Sequence, residues 1–185
     1  LQLSSQAYAE MGGEFVSPVI LHARNLFFAG RLDDALTVSA SACGPNSPLF
    51  QQIKNPDRAS IFLNCAVLNL MLGNWKNAAD YFARFFKIPE SGAFNWQELI
   101  GFADLAYEMG HAPAIYIRTL YRSMGRDSKP PDELLSQFRA WLDEDPSRND
   151  LKLIYLQRPQ YKGTSAPSIP KDVGRTPTKR FKRRK

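Results

Sequence analysis

Four side chains in this sequence are soft enough to hold a transition metal or to work as nucleophile and base: His22, Cys43, Cys65 and His111. No two stand at the short separations that put ligands on one helix face or one turn, so no metal or other cofactor is expected. The acidic stretch from Asp143 to Asp150 superficially resembles a calcium loop. It fails where the sharp turn needs glycine, because Arg148 stands there. It fails again at the twelfth position, where Ile154 replaces a bidentate glutamate. The stretch reads as an acidic helix end and a turn. Glycine-rich phosphate loops, nucleophile elbows and zinc-protease helices have no counterpart here. With two histidines and no nucleophile beside a base, the expectation is a protein that is not an enzyme.

The strongest chemistry lies at the C-terminus. Residues 158–185 hold ten Lys or Arg and one Asp, for a charge of +9. The other residues hold 14 basic and 17 acidic side chains, for −3. The overall +6 and pI of 9.4 therefore describe the tail, and a polyanion is its natural partner. Lys179, Arg180, Lys182, Arg183, Arg184 and Lys185 put six positive charges into seven residues. Each phosphate they neutralise releases counterions, so RNA binds without sequence being read. Phe181 between them can stack on an unpaired base. Lys162, Lys171 and Arg175 lie upstream, spaced by Gly, Pro and Ser as an extended arm requires. The expected RNA-binding set is thus Lys162, Lys171, Arg175 and the whole run from Lys179 to Lys185. Three other readings fit the same run: a nuclear import signal, a juxtamembrane basic cluster and a solvated terminus.

Positioning these groups falls to helices. Residues 1–16 read as a short N-terminal segment with a helix ended by Gly12 and Gly13. Ser17 and Pro18 open a helix that Gly30 closes. A second follows with Asp33 and Asp34 in its first turn, where carboxylates favour the dipole. After a turn-rich connector, Ala59–Ile88 supplies two apolar-faced helices around Gly73 and Asn74. Further helices end at Gly110 and Gly125, another is cut by Pro146, and LKLIYLQ is short helix or extended strip. The helical domain spans 17–157. From Arg158 the chain has four prolines and no periodicity, and it cannot bury enough apolar surface to offset its ordering entropy. The dense aromatics Phe62, Trp75, Tyr81, Phe82, Phe85, Phe86, Trp96 and Phe102 are expected between helices. Of the pairs Tyr81/Phe85 and Phe82/Phe86, only one can face fully inward. Cys43 and Cys65 are expected as reduced, small core residues in helices.

Three helix pairs share a layout: an apolar helix ends in Gly30, Gly73 or Gly110, and the next begins near Ala35, Ala78 or Ala114. With Ala23, Leu26 and Ala42 in the first pair, Ala66, Phe82 and Pro89 in the second, and Ala103 in the third, this resembles the tetratricopeptide repeat. The glycines stand 43 and 37 residues apart, against a family period of about 34. Ala114 arrives one residue early, after a Pro113 foreign to the pattern. The resemblance covers roughly residues 18–125. It implies an all-α fold of antiparallel helix pairs stacked as a right-handed solenoid, with the basic tail extended beyond it. It also implies a concave face for protein partners. Some family members clamp an acidic peptide terminus with Lys, Arg and Asn. Here only Asn64 falls at such a position, and among Ile20, Arg24, Gln97 and Gly101 only Arg24 carries charge, so that use is not expected.

A globular body with a long basic extension resembles accessory proteins of ribosomes. The expectation is a non-catalytic scaffold in a ribonucleoprotein particle, its body on neighbouring proteins and its tail on RNA. A first residue that is Leu rather than Met, with no signal-peptide character after it, tilts localisation towards the mitochondrial matrix and a mitochondrial ribosome. The alternative is a nuclear or cytosolic adaptor imported through KRFKRRK. No membrane span is expected, since no apolar run approaches the roughly 20 residues required.

Overall fold

The computed structural model describes residues 16–44, 47, 55–88, 103–124 and 130–159. Among them there is no strand. Helix α1 is Val16–Phe28 and α2 is Leu32–Ser41. Helix α3 is Asn55–Met71 and α4 is Trp75–Phe86. A helical segment at 103–108 leads into α5, Ala114–Met124. Helix α6 is Asp132–Glu144, a 3-10 turn spans Pro146–Arg148, and α7 is Asn149–Gln157. The apolar stretch that read as helix or strip is therefore helix. Its backbone is already started by the 3-10 turn, whose Ser147 N–H is capped by Asp145 Oδ1 at 2.9 Å.

The three repeat glycines end their helices in the same way. Gly30, Gly73 and Gly110 have φ of +73°, +76° and +83°. In each, the glycine N–H bonds the carbonyl three residues back: Phe27, Leu70 and Tyr107. The next N–H reaches five back, from Arg31 to Leu26, Asn74 to Asn69 and His111 to Ala106, at 2.8–2.9 Å. This is the Schellman arrangement, which satisfies orphan carbonyls and reverses the chain. The following helix then starts with a fully buried alanine. Ala35, Ala78 and Ala114 are each 0% exposed. Ala35 and Ala78 donate to the carbonyl four residues back, whereas Ala114 donates to His111, three back. The tighter third turn absorbs the one-residue difference at Pro113.

Within the first two pairs the helices pack on each other, α1 on α2 and α3 on α4, and α2 packs on α3 across the pairs. Helix α3 also touches α5, α5 packs on α6, and α7 folds back against α4. This all-helical, pairwise packing is consistent with a helical-repeat fold. Leu26, Ala35 and Leu68 form a small cluster where α1, α2 and α3 meet. The main core runs from Val19 to Leu151.

Aromatic rings join the second half of the body. Tyr116 is wholly buried and lies 5.2 Å from Phe82 and 5.6 Å from Phe138. Phe138 in turn meets Tyr155 edge-on at 4.7 Å. The Tyr116 hydroxyl donates to the Leu151 carbonyl at 2.9 Å, tying α5 to α7. Phe62, Phe82 and Phe85 are buried, while Trp75, Tyr81 and Phe86 are partly so. Neither i,i+4 pair of α4 is therefore the wholly inward one. The helix buries Phe82 together with Phe85, because α3 and α7 cover it from two sides. Trp96 and Phe102 lie outside the described residues.

Candidate interaction site

Lys162, Lys171, Arg175, Lys179, Arg180, Phe181, Lys182, Arg183, Arg184 and Lys185 all lie outside the described residues. The structure does describe the root of their segment. Arg158 donates from Nε to Ser123 Oγ at 2.7 Å and from Nη1 to the Tyr155 carbonyl. Its guanidinium lies 3.8 Å from the centre of the Tyr155 ring. Ser123 passes its own proton to the Leu120 carbonyl at 2.8 Å. Arg158 thus pins the chain to α5 and α7, and its charge is partly spent there.

The clamp-like positions come out half-buried. Ile20, Arg24 and Asn64 are neither core nor free, and Arg24 already has a partner within the fold. Gln97 and Gly101 lie outside the described residues.

Arg118 and Arg122, four residues apart on α5, share a face as their spacing implies. With Tyr107, Pro131, Glu133, Leu134 and Gln137 they line an open cleft of about 260 Å³. Arg118 Nε contacts Asp104 Oδ1 at 2.6 Å, and its plane lies over Tyr107 at 4.5 Å. The Tyr107 hydroxyl donates to Gln137 Oε1 at 2.7 Å. These contacts stiffen a polar wall between the 103–108 segment, α5 and α6. The lining offers two guanidinium groups, one carboxylate, a phenol and an amide.

Large apolar side chains also reach the surface. Leu153 and Leu156 stand 53% and 66% exposed on α7, three residues apart and so on one face. Leu21 and Phe28 are exposed on α1, and Leu105 and Met109 within and just after the helical segment 103–108. Periodicity alone did not single these out, since each lies in a helix with an adequate buried face.

The acidic stretch resolves into separate local contacts. Asp143 takes Lys152 Nζ at 2.9 Å, Glu144 takes Arg148 Nη1 at 3.3 Å, and Asp145 caps Ser147. The hydrogen bonds from Ser147 hold the Asp145 carboxyl below its usual range. Arg148 is the unforeseen residue. Its guanidinium lies 5.0 Å from the Trp75 ring and 4.4 Å from that of Trp141, and it donates to the Trp141 carbonyl. An arginine among acidic neighbours gave no hint of this bracket between α4 and α6. Burial first, and then the charge of Arg31, lowers the pKa of His22 from its ordinary value. Among the described residues no three His, Cys, Asp or Glu converge, and no helix is long and apolar enough to cross a membrane. No protein-family model, curated protein or solved structure matches this chain.

Proposed function

We propose that this chain is a non-catalytic scaffold of a ribonucleoprotein particle, with the helical body docked on proteins and the basic tail on RNA phosphates. The observation that carries the reading is the division of charge: +9 in residues 158–185 against −3 in the rest. A body of helix pairs with repeated Schellman turns supports a tetratricopeptide-like, right-handed stack. The exposed leucines of α7 support contact with neighbouring proteins. Arg158 supports a tail that starts from a fixed point rather than from a frayed helix end. The proposed particle is ribosomal, mitochondrial in the first instance, on the strength of a globular body joined to a basic extension.

The test is association of the full chain with RNA-containing particles across a salt series, with and without nuclease. For about six phosphate contacts, affinity should fall by roughly 300- to 2,000-fold between about 50 and 200 mM salt. Deleting 171–185 should weaken binding and flatten that slope. Association that survives nuclease, salt and the deletion would sink the RNA reading. The same KRFKRRK run favours one alternative, a nuclear or cytosolic adaptor. If the deletion leaves particle association intact but moves the protein out of the nucleus, that alternative holds.

A further inference from the structure

Cys43 and Cys65 come from different helix pairs, 22 residues apart in sequence. Cys43 sits in the turn just after α2, not inside a helix, and Cys65 lies in the middle of α3. They are 5% and 0% exposed, and their Sγ atoms are 3.6 Å apart. That is van der Waals contact, roughly 1.5 Å longer than a disulfide bond. The backbone already brings the two side chains tip to tip.

The two sulfurs lie at the inner end of a short row of polar groups. Tyr81 on α4 sits against Cys65, and its phenol is pushed up to about 12 by burial first and then by the two cysteines. Arg84 lies over the Tyr81 ring at 5.4 Å and is itself half exposed, where it pairs with Asp80. A line of polar groups therefore runs from the surface to the sulfurs. The Cys65 thiol is held far above its ordinary value by its bond to Cys43 and by burial. Thiolate is consequently scarce in the closed fold, so exchange belongs to folding or to local opening of the α2–α3 junction.

We propose that Cys43 and Cys65 form a disulfide that covalently joins the first helix pair to the second, made by exchange with a low-molecular-weight disulfide such as glutathione disulfide. One thiol, as thiolate, attacks the glutathione disulfide, forms a mixed disulfide and releases one glutathione. The second thiolate displaces the other glutathione and closes the Cys43–Cys65 bond. Two thiols are oxidised by two electrons, and the two protons leave on the two glutathione thiols. The bond spans the α2–α3 interface, the contact through which adjacent units of a stacked fold stabilise each other. The inference is independent of the RNA reading.

The experiment uses the full chain refolded from denaturant in glutathione buffers graded from reducing to oxidising, so that burial cannot block access. The product is trapped by alkylation under denaturing conditions and weighed intact. Wild type should lose two hydrogens and resist alkylation in oxidising buffer. Cys43→Ala and Cys65→Ala should each keep one alkylated or glutathionylated thiol. The oxidised wild type should melt roughly 10 °C above the reduced form, as expected for a loop of this length. Two alkylated thiols in oxidising buffer, persistent glutathione adducts on wild type, or a linked dimer would overturn the proposal. So would an oxidised form that melts at or below the reduced one.

Discussion

Replacing the turn glycines with alanine isolates what a left-handed backbone contributes to this fold. Gly30, Gly73 and Gly110 all have φ between +73° and +83°. A Cβ added at Gly30 or Gly110 meets nothing within 4 Å. At Gly73 it lies 3.7 Å from Trp75 Cζ2, an ordinary contact. Sterics with the rest of the molecule therefore drop out, and only backbone strain remains. That strain costs about 1–2 kcal/mol for an alanine. The stiffer unfolded chain returns a few tenths to 1 kcal/mol, leaving a net loss of about 1 kcal/mol per site. The sites lie in separate turns, so the triple variant should lose about 3 kcal/mol. In urea, followed by circular dichroism, each single variant should lower the midpoint by roughly 0.5 M with the slope unchanged, taking a slope near 2 kcal/mol/M. Gly44 is the internal control: it has open space and no left-handed φ, so Gly44→Ala should be neutral or slightly stabilising. Asparagine at the three turns should cost less than alanine, because it tolerates the left-handed region. An unchanged midpoint in Gly30→Ala or Gly110→Ala, or a loss above about 3 kcal/mol at either, would refute the backbone account.

Tyr116→Phe removes the 2.9 Å hydrogen bond to the Leu151 carbonyl and should cost about 0.5–1.5 kcal/mol by thermal or chemical unfolding. Burial holds the Tyr116 phenol well above its ordinary value, so the folded state keeps a proton that the unfolded state loses. Its contribution is full below about pH 10 and falls by roughly 1.4 kcal/mol per pH unit above that. Stability curves should therefore drop more steeply for wild type than for Tyr116→Phe on the alkaline side, and parallel curves would count against the assignment. Arg148→Ala should cost about 1–2 kcal/mol and alter tryptophan fluorescence, with Arg148→Lys restoring less than half because an ammonium lacks the planar fork that meets both the Trp75 and Trp141 rings while donating to the Trp141 carbonyl. A neutral Arg148→Ala would show that the bracket is decorative. Ala78→Leu, at a position 0% exposed, should lose at least about 1–3 kcal/mol from overpacking, read by the same unfolding assay.

The helix turns were legible because their information is local. A glycine after an apolar helix, with an alanine five residues on, states both the reversal and the close approach that follows it. Pro113 and the early Ala114 announced that the third turn would differ, and the His111 carbonyl shows how. What escaped reading depends on residues far apart in sequence. The buried stripe of α4 is widened by α7, so which aromatics face inward could not be settled from α4 alone. The Tyr116 hydroxyl finds a carbonyl 35 residues away, and Arg148 is bracketed by rings from two different helices. The contact between Cys43 and Cys65 depends on the packing of α2 against α3, which no spacing rule encodes. The expected RNA-binding residues remain a matter of composition, and what the fold adds is Arg158 at their root.

That root has a mechanical meaning. Tension applied to the chain at Pro159 does not fall first on the last turn of α7. Arg158 hands part of it to Ser123 at 2.7 Å, and α7 hands part to Tyr116 through the Leu151 carbonyl. Both receiving residues are on α5, about two turns apart, and α5 is the helix with Tyr116, Ile117 and Leu120 sunk in the core. The load is thus shared across two anchor points on a buried element. Detaching α7 under force means breaking both of these contacts as well as its packing on α4.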